Sequence, residues 1–343
     1  PVRPLRGVLC LLFFYGSLAA AVAQEDPVQA AREGLALIPQ GNSARLELPG
    51  GQALSLILPE RAEVSSLAAT DGGWVAAGSF PDAAGRQRLF LRTGDDKNFR
   101  ELPEPPGQAF SQRRGPVLLV DGGRLAGLAW LEGDGLRSLA VRAAAWNGRK
   151  WQAPQIVSHP GPGSQLALTG AVLADGAWLL AWSAFDGTAD EIVWSERVGS
   201  AWLPVSRLST PNQVPDITPA LTSTAGGGAL IAWSRFDGHG YQMRMARFER
   251  GAWVDEHAAG PSGSLYPAFL GASDRPRLLY LEAAARSWSV LDLDAAGKVL
   301  AKASLSSPSR SLSRPVVDSV AGSVRLRWPA EKQQGTATLE RVP

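Results

Sequence analysis

The sequence predicts an all-β protein: a ring of six four-stranded antiparallel sheets, with the last sheet completed by a strand from the N-terminal side. Two observations predict it. The first is composition. The 343 residues include 37 Gly and 25 Pro, and short apolar runs bounded by Gly, Pro, Asp and Asn recur without helical periodicity, which is the pattern of short strands joined by tight turns. The second is an internal repeat. One ladder of large residues runs through Trp130, Trp182, Trp233, Tyr280 and Trp328, with Gly78 at the earlier equivalent position, in steps of 52, 52, 51, 47 and 48 residues. Another runs through Phe99, Trp151, Trp202, Trp253 and Val299, in steps of 52, 51, 51 and 46. Two independent ladders with one period mark a stack of supersecondary units, each unable to bury its faces alone.

Each unit has the same grammar. In one, Leu166 opens an apolar run, Asp175-Gly176 turns the chain, and a second run ends at Trp182. The loop to Gly187 follows, then Glu191 to Ser195, a turn at Gly199, and Trp202. The next unit repeats this with Ile217, the Gly226–Gly228 turn, Trp233, the loop to Gly238, Gln242 to Ala246, and Trp253. Four short strands in about 50 residues make one blade of a β-propeller. Counting first-ladder positions gives a six-bladed β-propeller of four-stranded antiparallel blades; the alternative is a five-bladed or seven-bladed ring with an unusual first unit. The sixth blade ends early, at Pro343, with strands expected over 315–320, 323–328 and 336–342. Its fourth strand is expected from the N-terminal side, where 44–48 and 52–58 read as strands, so that the two chain ends close the ring and remove open edges.

Ahead of the repeats, Arg3 and Arg6 precede an apolar run from Gly7 to Val22, and Ala21-Val22-Ala23 supplies small residues before Gln24. This is the layout of a cleaved export signal, and the run is short for a membrane span. The expected organisation is a signal peptide over 1–23, a lead-in over 24–43 and the propeller over 44–343. Cleavage would remove Cys10, the single cysteine, and leave 32 basic against 32 acidic residues. A near-neutral chain without thiols points away from nucleic acid and from thiolate metal sites. The expected product is exported, periplasmic or extracellular, with no membrane span after cleavage, and monomeric.

Ser195-Glu-Arg197-Val-Gly199-Ser-Ala-Trp202 resembles the Asp-box of the sialidase-like propellers with bacterial neuraminidase repeats, Ser-x-Asp-x-Gly-x-x-Trp, at Ser195, Gly199 and Trp202. Arg197 stands where the Asp belongs; in the Trp151 unit only Gly148 and Trp151 match, and in the Trp253 unit the glycine is shifted to Gly251. The resemblance implies a propeller over the whole repeat region, with the box as a structural staple. It does not carry over the family's chemistry. That chemistry uses three arginines on a carboxylate, a Tyr–Glu nucleophile pair and an Asp acid/base. The Arg-Ile-Pro signature has no counterpart here, and of the three tyrosines beyond the leader, Tyr280 belongs to the first ladder while Tyr241 and Tyr266 come with no assignable carboxylate.

Loops between strands two and three share one end of the ring with the linkers between blades. On that face the sequence places Asp186, Arg235, Asp237, His239, Tyr241, His159, Asp216 and Tyr266, a candidate polar rim for a ligand. For Asp186 and Asp237 turn geometry alone accounts for an Asp-Gly pair; His239 and Tyr241 are less explained by it. Asp292-Leu-Asp294 resembles the start of a calcium loop, but Ala296 and Ala303 occupy ligand positions, so a hairpin turn is expected. His159, His239 and His257 show no zinc spacing, and no nucleophile elbow, P-loop or dinucleotide fingerprint appears. No metal or other cofactor is expected. The functional expectation is an exported non-catalytic propeller that binds a protein or a glycan through this loop face. Two alternatives stay open. A glycoside hydrolase or lyase of the sialidase-like group would need paired carboxylates drawn from different blades. A structural module for envelope assembly would show an exposed apolar patch.

Overall fold

A computed structural model of the chain describes residues 28–29, 34–49, 51–107, 111–135, 139–163, 165–208, 212–270, 275–308, 312–320 and 322–342. The expected export signal lies outside the described residues. The strands form seven antiparallel sheets, each from consecutive chain except for one strand that returns from the C-terminal side to the sixth. The protein is a seven-bladed β-propeller, not a six-bladed one.

The extra blade is the first. Blade 1 takes Val28–Gln29, Ala36–Gln40, Ser43–Glu47 and Ala53–Ile57 in that order. The expected strands near 44–48 and 52–58 exist, but they pair with Ala36–Gln40 and with each other instead of completing the last blade. The repeat hid this blade for a physical reason. Its turns are very short and its second strand carries no aromatic anchor; Ile38 sits buried there instead.

Blades 2 to 6 each have four consecutive strands in their main path, with first strands Glu63–Thr70, Gln112–Asp121, Gln165–Val172, Asp216–Ser223 and Ser264–Leu270, and the path of blade 6 is extended by a fifth. Blade 7 has three strands, Val316–Val320, Ser323–Trp328 and Gln333–Thr338. The chain then returns to blade 6, where Glu340–Arg341 pairs with Ala301 and Lys302 and covers part of that blade's outer edge.

The first ladder is the interior of the ring. Trp130, Trp182 and Trp233 are completely buried, and Tyr280 and Trp328 nearly so. Gly78 is the exception that shows the rule. A Cβ there would lie 2.5 Å from the Phe90 ring, so an aromatic from the neighbouring strand fills the anchor's place. The second ladder is more peripheral: Trp151 is buried, Trp202 and Trp253 are half-buried, and Phe99 is exposed.

A third recurring feature lies in the first strands. Gly115, Ala167, Thr218 and Tyr266 all adopt left-handed backbone, with φ of 53°, 51°, 51° and 54°. Each sits at a register shift against the second strand. This is a β-bulge repeated around the channel, and in three of the four blades proline follows, at Pro116, Pro219 and Pro267. A bulge bends the strand and re-aims its side chains at the mouth.

Six interfaces between blades are sealed by apolar clusters, for example Leu37, Leu46 and Leu56 of blade 1 against Trp74 and Phe90 of blade 2. The seam between blades 7 and 1 is polar among the described residues. The Gln29 side chain donates to the Val317 carbonyl at 2.6 Å and accepts from the Val317 amide at 3.0 Å. Arg327 bridges Asp318 at 2.6 Å and Glu47 at 2.8 Å. Closure therefore comes from side chains and not from a strand shared between the chain ends. No helix among the described residues is long and apolar enough to cross a membrane.

Candidate functional site

First strands of blades 1 to 6 line a channel with an internal volume of about 280 Å³. Its wall carries Ser65, Ser66, Thr169, Thr222 and Ser223 among apolar residues. Among the described residues no ionisable group lines it. The charged groups gather instead at the end where the linkers and the two-to-three loops meet.

There, blades 4 and 5 build a continuous run of polar contacts. Asp186 turns its own loop: its Oδ1 accepts from the Thr188 and Ala189 amides at 2.8 and 3.1 Å. Its other oxygen pairs with Arg207 at 2.9 Å. Arg207 also faces Glu191 at 3.9 Å. Asn212 joins the blades, its amide donating to Glu191 Oε1 and its Nδ2 to Asp216 Oδ2, both at 3.3 Å. Asp216 is fully buried. It accepts from Trp233 Nε1 at 3.0 Å and takes a two-point grip from Arg235, Nε to Oδ1 at 2.7 Å and Nη2 to Oδ2 at 2.9 Å. Arg235 reaches on to Glu256, which Arg244 also holds.

Expected residues thus divide. Asp216 and Arg235 are brought together, but as a core-side ion pair that fixes the first two strands at their directly opposed positions. Asp237 caps its loop through the His239 and Gly240 amides, both at 2.9 Å. These backbone bonds hold its carboxyl below the usual carboxylate range, and the Ala189 and Thr188 bonds, then Arg207, do the same for Asp186. The two Asp-Gly loops are therefore explained by turn chemistry. His239 has an exposed side chain, and half-buried Tyr241 packs on Phe236 with ring centres 5.4 Å apart. His159 is exposed, its carbonyl tied to Gln165. Tyr266 is not with them: its left-handed backbone turns it into the cluster between blades 6 and 7.

The sequence reading missed Asp190 and Glu191. Both are buried, with 5% and 1% of their surface exposed. Burial pushes both carboxyls up. The Asp186 charge adds to this for Asp190; for Glu191 the Asn212 amide opposes it and Asp216 adds to it. Glu191 Oε2 has no hydrogen-bond partner. The available signal was two consecutive acids opening a strand that is otherwise apolar. The other polar cluster that went unseen lies at blade 3, where buried Arg113 meets Glu132 at 3.1 Å and Glu104 at 2.8 Å. The available signal was the spacing of Arg113 from Glu132, the same as that of Asp216 from Arg235 in blade 5. Among the described residues no three His, Cys, Asp or Glu side chains are placed to hold a metal.

Fold and face define a propeller with a charged linker end. No family model and no curated protein matches the chain. Solved structures do match. The polysaccharide lyase Uly1 is 10% identical with a TM-score of 0.57, over 94% of this chain and 91% of its own. A protein of unknown function from Dyadobacter fermentans is 14% identical at 0.54, over 83% and 96%. The fucose-specific lectin from Aleuria aurantia is 12% identical at 0.52, over 82% and 94%. At these identities the likeness is one of fold. The match is to propellers at large, not to the sialidase-like group in particular.

Proposed function

We propose that this chain is an exported, non-catalytic propeller that binds a protein or a glycan on its linker face, around His239 and Tyr241. One observation carries the reading. The expected carboxylates on that face are already committed, Asp186 and Asp237 to their own loops and Asp216 to Arg235 and Trp233. What faces solvent there is an imidazole and the rim of a tyrosine, a binding surface more than a reaction centre. The fold neighbours include a lectin and a lyase, so the scaffold itself accommodates saccharides in other proteins. The near-neutral charge left after removal of the leader supports a partner other than nucleic acid.

The test is a glycan array and an affinity pull-down with the chain from residue 24, each hit re-measured with purified components. His239→Ala and Tyr241→Ala should weaken a true ligand at least about tenfold, as expected for residues at the centre of a contact. Turnover of a glycoside or uronate polymer at enzyme-like rates, lost on changing one carboxylate, would overturn the reading.

A hydrolase is the second reading, and one feature favours it. Glu191 and Asp216 flank Asn212 in different environments, one with a raised carboxyl and the other gripped by arginine, and unlike environments are how acid and base roles are divided. Against it, the two residues are 1% and 0% exposed, which closes them to a substrate. Glu191→Gln separates the readings, since binding at His239 survives it and hydrolysis does not.

A further inference from the structure

The opposite end of the ring, where the one-to-two and three-to-four turns lie, holds a pocket of about 580 Å³ between blades 4 and 5. It is unrelated to the linker face. Glu196 and Asp175 of blade 4 line one side, and the Gly226–Gly228 turn with Arg247 and Arg250 of blade 5 lines the other. Glu196 is at the end of strand Asp190–Val198 and is 8% exposed. No hydrogen bond or ion pair among the described residues engages its carboxyl. Two arginines share the wall: Arg247 pairs with Glu249 and with Asp255, at 2.6 Å for the latter, and Arg250 makes no ion pair with either acid among the described residues. Asp175 gives one oxygen to the Ala177 amide. Among the described residues no ion pair joins either carboxyl to a cation, and one of the two is more than nine-tenths buried.

A buried carboxyl without a partner is costly to keep. The chain holds Glu196 there although leucine or glutamine would fit a strand as well. The pocket wall also leaves room. Gly226 is part of that wall, a Cβ there would meet nothing within 4 Å, and its φ is not left-handed, so an ordinary side chain could stand at the pocket's edge. Burial and the charge of Asp175 push the Glu196 carboxyl up, so it gains most from an arriving positive charge.

We propose that this pocket is a second ligand site, specific for a primary ammonium group held between Glu196 and Asp175. The ammonium supplies the three donors that two carboxylates lack, and either a free aliphatic amine or a lysine side chain of a partner protein can bring it.

The test is calorimetric titration of the whole chain at low salt with cadaverine and, separately, with N-acetyl-lysine amide. Carboxyl carbon shifts of Glu196 are followed by NMR. Saturable binding of either probe supports the site. Binding of cadaverine alone points to a free amine, and of the lysine derivative alone to a partner protein. Glu196→Gln should lose at least about tenfold in affinity, the factor that about 1.4 kcal/mol of one charge-assisted hydrogen bond carries. Unlike a structural carboxyl, its removal should raise the unfolding midpoint. Gly226→Leu, which leaves both acids in place, should block binding, and His239→Ala should leave it unchanged. Absence of saturable binding by both probes, unaltered affinity in Glu196→Gln, or a lowered midpoint in that variant would each overturn the proposal.

Discussion

Asp216 and Arg235 were expected to touch ligand, and the structure makes them a structural pair; a double-mutant cycle decides between these roles. Asp216 is completely buried and accepts four side-chain hydrogen bonds, from Trp233, twice from Arg235, and from Asn212. Arg235→Ala leaves the carboxylate with only the indole and the amide. Breaking one side of such a pair costs roughly 3–5 kcal/mol, because the remaining charge stays buried. Asp216→Ala should cost about as much, since it strands the Trp233 indole N–H as well, although Arg235 keeps Glu256. The double variant removes both charges, so its cost should fall short of the sum by about 2–3 kcal/mol. Urea unfolding followed by tryptophan fluorescence, with circular dichroism to check that the transitions coincide, measures all three. If Arg235→Ala changes stability by less than about 0.5 kcal/mol, as ordinary surface substitutions do, or if the two costs simply add, the pair is not the latch described and the arginine is free for a ligand.

Three further outcomes follow from the same geometry. Ala167 is exposed at φ 51°, so Ala167→Gly should stabilise by about 0.5–1 kcal/mol, the relief of left-handed strain less the added chain entropy; denaturant unfolding reads it, and no change would mean the bulge is unstrained. Arg327→Met unties Glu47 from Asp318 across the polar seam and should cost about 2–3 kcal/mol, with hydrogen exchange rising first at Val316–Val320 and not in blades 3 to 5. The pH dependence is set by opposed groups. Glu191 holds its proton above the ordinary carboxylate range, so the folded state binds more protons than the unfolded one there, and stability falls as pH rises from that range. Glu191→Gln should flatten this decline and gain over the parent toward neutral pH; Asp186, with a lowered carboxyl, contributes the reverse, stability lost as pH falls. A parallel offset at all pH values would refute the assignment to Glu191.

Fold class was legible because burial of the anchors imposes a period on the sequence. Trp130, Trp182, Trp233, Tyr280 and Trp328 each occupy the same place in a second strand, and that place tolerates little else. Blade 1 escaped because its sheet is small enough to be filled by Leu37, Leu46 and Leu56 without an aromatic. Proline follows the left-handed residue in three of the four bulges, at Pro116, Pro219 and Pro267, but a proline in sequence predicts extended backbone before it, so the bulges could not be read from it. Site residues were legible only where local chemistry decided them. Asp186 and Asp237 make the turns that Asp-Gly predicts. Glu191 meets Asn212 only where blade 4 abuts the linker to blade 5, and Arg113 meets Glu132 across two strands of blade 3, neither of which spacing along one strand reports.

The latch at the linker end recurs in other blades and is missing from blade 4. The position where the first strand opposes the second is occupied by Arg113 and Glu132 in blade 3, Asp216 and Arg235 in blade 5, and Ser264 and Glu282 in blade 6. The charges are reversed between blades 3 and 5, so either sign serves provided the two match. In all three the polar tip of the anchor is bound by a carboxylate of the pair: Trp130 by Glu132, Trp233 by Asp216, Tyr280 by Glu282. Blade 4 breaks the rule. Gln165 faces Ala184 there, and Trp182 Nε1 is left buried without a partner. Its acids stand on the third strand instead, Asp190 and Glu191 at one end and Glu196 at the other, buried and with raised carboxyls. Blades 3, 5 and 6 bind the anchor's polar tip with a carboxylate and blade 7 binds it with the Ser313 carbonyl, so of these five blades only blade 4 leaves the tip without a partner among the described residues. Departures of that kind collect where a protein meets its ligands. The amine pocket borders this blade at the Glu196 end of its third strand, and the Glu191 end reaches blade 5, which carries His239 and Tyr241, through Asn212.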